Sequence, residues 1–194
     1  MKSFMYGMAM ILLCSIFLVF QTDINQMQRE SMFIYETANE IANAAALQLV
    51  YNSDDDSDIY TYSNGYIEYV TADAFEKGYQ VAHKTLSLDS SYNSAKNYYS
   101  DTFEVTIYLF NESGKVYKST NESVPTLLPK VFVRGMRATE FISEMDPDDT
   151  MTINYPCTIC VVDAGKPRIR LTDLTTDDVK IRKLGIYEYK DAEQ

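Results

Sequence analysis

Tryptophan is absent from the chain, and histidine occurs once, at His83. A Ser-His-Asp or Cys-His catalytic system would have to depend on that one residue. A closed zinc site at Cys157 and Cys160 needs two more Cys or His ligands and would have to recruit carboxylates. Glycine numbers only seven, and the sequence holds neither a Gly-x-x-x-x-Gly-Lys phosphate loop nor a nucleophile elbow. Carboxylates are plentiful, yet nothing singles out two of them as a glycosidase pair. The chain is therefore expected not to be an enzyme, and no cofactor or metal is expected. Positive charge is also scarce. Seventeen Lys and Arg face 28 Asp and Glu, a formal net charge of −11. Such a surface repels phosphates, so nucleic acid is excluded as a partner.

Scarcity also organises the N-terminus. No charge occurs from Phe4 to Phe20, no proline before Tyr51, and no glycine but Gly7 in that stretch. The apolar run of 17 residues is at the short end of a membrane span, where about 20 is typical. Gln21 and Thr22 extend it at the interface. Signal cleavage after the run needs small residues, but Leu18-Val19-Phe20-Gln21-Thr22-Asp23 offers large ones. An uncleaved single-pass anchor over residues 1–22 is expected, with a prepilin-type cut after Gly7 as the alternative. Lys2 is the basic residue nearest the N-terminus, whereas Asp23 opens the far side. Positive-inside then places the N-terminus in the cytoplasm and the remainder outside the cell membrane.

Residues 23–51 keep helical spacing but become amphipathic. Ile24, Met27, Ser31, Ile34, Ala38, Ile41 and Ala45 alternate spacings of three and four, the seam of a helix that packs on a helix. Small residues at Ala42, Ala44, Ala45 and Ala46 admit a close neighbour. Two partners suit this face: the chain's own sheet, or a neighbouring subunit. Ile34, Ala38, Ile41, Ala42 and Ala45 are the candidate subunit-packing residues. A continuous helix from Phe4 to Tyr51 would be about 70 Å long.

Residues 52–194 are expected to form one α+β head. Asp54, Asp56 and Asp58 alternate like the start of a calcium loop, but Ile59 and Gly65 stand where glycine and glutamate would be needed, so an EF-hand is rejected. Ile59–Tyr62 and Tyr66–Val70 flank Asn64-Gly65 and predict a short hairpin. A helix is expected from Ala72 to Leu88, with Gly78 as its weak point. Phe103, Val105, Ile107 and Leu109 alternate with Glu104, Thr106, Tyr108 and Phe110, the clearest strand. Lys115–Lys118 returns from a turn at Asn111–Gly114. Asn111 and Asn121 each open an Asn-x-Ser sequon. Met151–Tyr155, Ile159–Asp163, Arg168–Thr172 and Val179–Tyr189 are strand candidates, the second and third forming a hairpin. Arg134–Met145 is expected to be short helix or mixed structure. The sheet is expected to be mostly antiparallel. Cys157 and Cys160 lie in strand-like surroundings. That context favours a local disulfide or a reduced structural pair over a redox motif at a helix N-terminus.

The segment Glu36-Thr-Ala-Asn-Glu-Ile-Ala-Asn-Ala-Ala-Ala-Leu-Gln-Leu, following an apolar span, resembles the TadE/TadG group of tight-adherence pilus-assembly proteins. Ala42, Asn43, Ala44, Ala45 and Ala46 carry the match, and the order helix, polar helix, β-containing domain agrees with the group. Pseudopilin members have a glutamate five residues into the mature apolar segment, where a cut after Gly7 would place Leu12. The resemblance implies a minor pilin or envelope component that works through protein–protein contacts. Its partners would be other pilin or secretion-apparatus subunits, with residues 4–20 in the lipid bilayer. The alternative is a surface adhesin or sensor ectodomain on a simple anchor.

Overall fold

The computed structural model describes residues 2–51, 66–96, 98–99, 101–111, 114–145, 150–167 and 180–188. Two helices, α1 (Lys2–Tyr51) and α2 (Tyr66–Leu86), precede the strands. β1 (Glu104–Phe110), β2 (Val116–Thr120), β3 (Thr126–Leu127), β6 (Cys157–Asp163) and β7 (Arg182–Glu188) build one antiparallel sheet in the order β3-β2-β1-β6-β7. β4 (Met136–Arg137) and β5 (Thr152–Ile153) form a separate two-stranded ribbon. The α+β architecture with a long apolar N-terminal helix and an antiparallel sheet is as the sequence predicts.

Three layers result. α1 and α2 pack together on one face of the sheet. There Ile34, Ala38, Ile41 and Ala45 of α1 meet Phe75, Tyr79 and Ala82 of α2 over Val105, Ile107, Leu109, Cys160 and Val162. On the other face, Phe132, Ala138, Phe141, Ile142 and Ile153 cover Tyr108, Phe110, Val116, Ile159 and Val161. Both sides of β1 and β6 are thus apolar and buried. This is why Val105–Phe110 and Cys157–Val162 read as near-continuous apolar runs rather than clean alternation.

The helix layer sits unusually close to the sheet. Gly78 of α2 lacks the Cβ that would come within 2.6 Å of Ile107 Cδ1, and Ala45 and Ile41 of α1 adjoin the same point. A glycine that weakens an isolated helix is here the contact that lets α2 seat.

Several expectations need correction. Tyr66–Val70 is not a hairpin arm; it is the first part of α2. The other arm, Ile59–Tyr62, lies outside the described residues, as does the loop containing Asp54, Asp56 and Asp58. The hairpin of Ile159–Asp163 with Arg168–Thr172 is not formed. Both sides of β6 are already occupied, by β1 and by β7, along its whole length. Arg168–Thr172 itself lies outside the described residues. Arg134–Met145, expected as short helix or mixed structure, is mixed: β4 followed by a 3-10 turn, Ala138–Glu140.

Candidate functional site

The feature that sets this chain apart is the division of α1 into two halves with different surroundings. From Phe4 to Val19 its large apolar side chains are exposed, Tyr6 by 75 % and Val19 by 47 %. Among the described residues, α1 is the one helix long and apolar enough to cross a membrane. Two of its hydroxyls are bonded within the helix. The Ser15 hydroxyl donates to the Ile11 carbonyl at 2.9 Å and that of Thr22 to the Leu18 carbonyl at 2.8 Å. Such back-bonding satisfies these two hydroxyl donors without water.

The rod enters the head at Glu30. The Tyr99 hydroxyl donates to Glu30 Oε2 at 2.6 Å, and Lys96 Nζ stands 3.9 Å from the same oxygen. Lys96 Nζ also lies 3.6 Å from the centre of the Phe33 ring, a cation–π contact on the next helical turn. Burial pushes the Tyr99 phenol above its ordinary pKa, and the Glu30 carboxylate adds to that. The phenol therefore stays a donor, as a carboxylate partner requires.

Beyond that point α1 becomes the spine of the head. Ile34, Ala38, Ile41, Ala42 and Ala45 are all fully buried. They face α2, β6 and β7 of their own chain, so the proposed subunit-packing assignment of these five residues is corrected. Only the first part of the seven-residue seam, Ile24 to Ser31, retains solvent exposure. The closest approach is to β7, where a Cβ on Gly185 would overlap the Ala38 carbonyl and the Asn39 nitrogen. Asn39 itself receives the Ile186 N–H on Oδ1 at 3.2 Å and donates through Nδ2 to the Tyr35 carbonyl at 3.0 Å. Among the described residues β7 pairs with β6 alone, and α1 supplies an acceptor to its other edge.

The second face holds a polar hub that the sequence did not announce. Glu144 Oε2 accepts from the Tyr108 hydroxyl at 2.6 Å and Oε1 from Lys118 Nζ at 2.8 Å. Tyr108 and Lys118 are directly opposed across β1 and β2. Arg182 of β7 donates to the Glu144 carbonyl at 2.7 Å. Burial works against the Glu144 charge, but the bonds from Lys118 and Tyr108 outweigh it and hold the carboxyl below its ordinary pKa. Four segments are thereby tied at one residue. No local sequence signal marks this, because the partners meet only after the sheet forms.

The remaining sequence candidates have structural placements. The local Cys157–Cys160 disulfide is not formed, and both thiols are free and buried. The two residues are an odd number apart on one strand, so they point to opposite faces, Cys160 toward the helices and Cys157 toward the ribbon. Burial raises both thiol pKa values well above the ordinary range. Cys14 is exposed on the rod. His83 bridges α2 to the turn after β2, with Nε2 2.9 Å from Glu122 Oε1 and Nδ1 3.3 Å from the Leu88 carbonyl. The sequon asparagines are turn-formers. Asn121 accepts from the Val105 N–H at 2.8 Å and donates to the Phe103 carbonyl at 3.1 Å, while Asn111 accepts from the Lys115 N–H at 2.7 Å. Among the described residues no group of three or more His, Cys, Asp or Glu side chains is gathered to hold a metal ion.

Compared with protein-family models, curated proteins and solved structures, the chain matches none.

Proposed function

We propose that the chain is a membrane-anchored structural subunit, minor pilin-like or pseudopilin-like, of a pilus or a type II/IV-related secretion apparatus. One observation carries the reading. A single helix is apolar and bare of contacts with its own head along one half, and is the buried spine of that head along the other. An anchor whose only task is tethering has no need of rigid continuity between membrane and domain. Here the Glu30–Tyr99 bond and the Gly185–Ala38 contact fix the direction in which the rod leaves the head. A fixed direction is useful to a subunit that must present its head in register with neighbours.

In this reading residues 4–20 lie in the bilayer or in a filament core, the N-terminus faces the cytoplasm, and the head is extracytoplasmic. The alanine-rich TadE/TadG-like segment then serves as the internal docking stripe that joins rod to head. The test is fractionation of the native host cell surface with N-terminal sequencing of the recovered chain. Recovery with a sheared filament or with a secretion complex supports the reading. A start at Met8 supports the pseudopilin form, and a start at Met1 the uncleaved anchor. A chain found dispersed in the membrane, with filament and secretion complexes free of it, would instead make it an ectodomain on a simple tether.

A further inference from the structure

Charge is divided between the two outer layers of the head. From Glu30 through Glu76 the sequence contains no Lys or Arg, and α1 shows Glu36 and Glu40 to solvent beside the exposed apolar Met32 and Tyr35. From Ser123 through Thr139 it contains no Asp or Glu. That second stretch begins at the edge strand β3, crosses the opposite face and ends in the 3-10 turn after β4. It exposes Lys130, Arg134 and Arg137 beside Val131 and Val133, each of these valines 60 % exposed. Phe132 and Ala138 turn inward between them and anchor the ribbon on the sheet.

The ribbon cations are held in place. Lys130 pairs with Glu140 and lies over the Phe141 ring, and the Arg134 guanidinium stacks 4.5 Å from the centre of the Tyr155 ring. Among the described residues Glu140 is the acid that pairs with Lys130 and lies near Arg137. An exposed apolar strip flanked by cations on one side of the head therefore matches an exposed apolar strip flanked by carboxylates on the other.

We infer that the partner of segment 124–137 is a second copy of this chain, which docks the outer face of its α1, around Met32, Tyr35, Glu36 and Glu40. This rests on the structural-subunit reading and gives its lateral contact. Complementary patches on opposite sides of one molecule make a heterologous contact, and such contacts propagate from copy to copy instead of closing a dimer. Opposite charges set the pairing and reject the like-on-like alternatives, while the apolar residues supply the buried area.

The test uses the full-length chain in membranes, in two separately tagged forms. Tyr35→Cys on one form and Val133→Cys on the other should give a bismaleimide-linked dimer when mixed in a Cys14→Ser background. Neither variant alone should do so. Glu36→Lys with Glu40→Lys should weaken self-association by about tenfold, as should Arg134→Glu with Arg137→Glu, and a mixture of the two charge-reversed forms should recover it. Glu36 and Glu40 are exposed, so thermal melting of that variant should match the parent, while the arginine variant loses the Arg134–Tyr155 contact; recovery of association in the mixture separates a lost interface from a lost fold. Strong crosslinking of Tyr35→Cys to itself overturns the inference, as does unchanged association after charge reversal. A chain that co-isolates with a filament yet links Val133 only to a different polypeptide overturns this inference alone. A parent chain that stays monomeric at membrane densities and outside every assembly overturns the structural-subunit reading with it.

Discussion

Gly185 of β7 lies directly against the backbone of Ala38 in α1, with no space between them for a side chain. A strand and a helix rarely meet backbone to backbone, and here both sides contribute: glycine on the strand, alanine on the helix. The contact fixes how deeply α1 sinks into the head. Gly185→Ala should therefore push α1 away from β7 and destabilise the head by roughly 1–3 kcal/mol, the ordinary range for overpacking. Chemical denaturation of the full chain in detergent micelles checks it, and a variant as stable as the parent would remove the contact from the account.

The alanines of α1 allow a related test. Ala42→Leu and Ala45→Leu insert bulk at fully buried sites, Ala45 beside Gly78. Each should cost the head roughly 1–3 kcal/mol. If melting is unaffected and only association with other subunits is lost, the stripe faces a neighbour and not its own sheet.

The Glu30–Tyr99 bond marks where rod becomes spine. Tyr99→Phe leaves a carboxylate without its nearest donor, and Glu30→Gln weakens the same bond from the other side. Each should cost about 1 kcal/mol, and the double change should cost less than the sum of the two. Amide exchange should rise in the turn around Phe33 before it rises in Ile41–Ala45. Uniform protection along α1 in the variants would show that the bond does not set the junction.

Glu144 gives the head an acid limit. Its carboxyl is held below the ordinary value, so the unfolded chain takes up a proton more readily than the folded one. Its contribution is present above the unfolded-state carboxyl pKa, near 4.3, and is lost as pH falls through the lower folded value. Melting temperature measured from pH 7 to pH 3 should drop across the acid end of that range. Glu144→Gln should lower stability at neutral pH and flatten that drop, and a parallel curve would assign the acid sensitivity to other carboxylates.

The cysteines offer a chemical reading of the same architecture. Cys157 and Cys160 are buried on opposite faces with thiol pKa values raised by burial. Neither should react with a maleimide in the native chain, and both should react on unfolding in denaturant. Mass spectrometry should find no intramolecular disulfide after mild oxidation. Detection of a Cys157–Cys160 bridge in folded protein would contradict the strand geometry.

What the sequence made legible was periodic or compositional. The uncharged run Phe4–Phe20 announces the exposed rod, and the β-prone, mostly apolar run from Phe103 to Phe110 announces β1. The seam Ile34–Ala38–Ile41–Ala45 announces a buried face but not what buries it, because a sheet and a second subunit impose the same demand for small apolar residues. Tyr66–Val70 carries β-prone side chains next to Asn64-Gly65, yet helical continuity with Ala74–Leu86 prevails. Gly185 is unremarkable in sequence and decisive in space. The Glu30–Tyr99 pair spans 69 positions and the Tyr108–Glu144 pair 36, so neither leaves a local pattern to read.

The seating of β7 on α1 also has a consequence for how the protein is made. Asn39 and Ile186 are separated by 147 positions. At the usual pace of synthesis, about 5–20 residues per second, the ribosome needs roughly 7 to 30 s after Asn39 to deliver its partner strand. Through all of that interval the apolar stripe from Ile34 to Ala45 still lacks the strand that will cover it. The head therefore closes only after β7 has been made, and α1 waits for it.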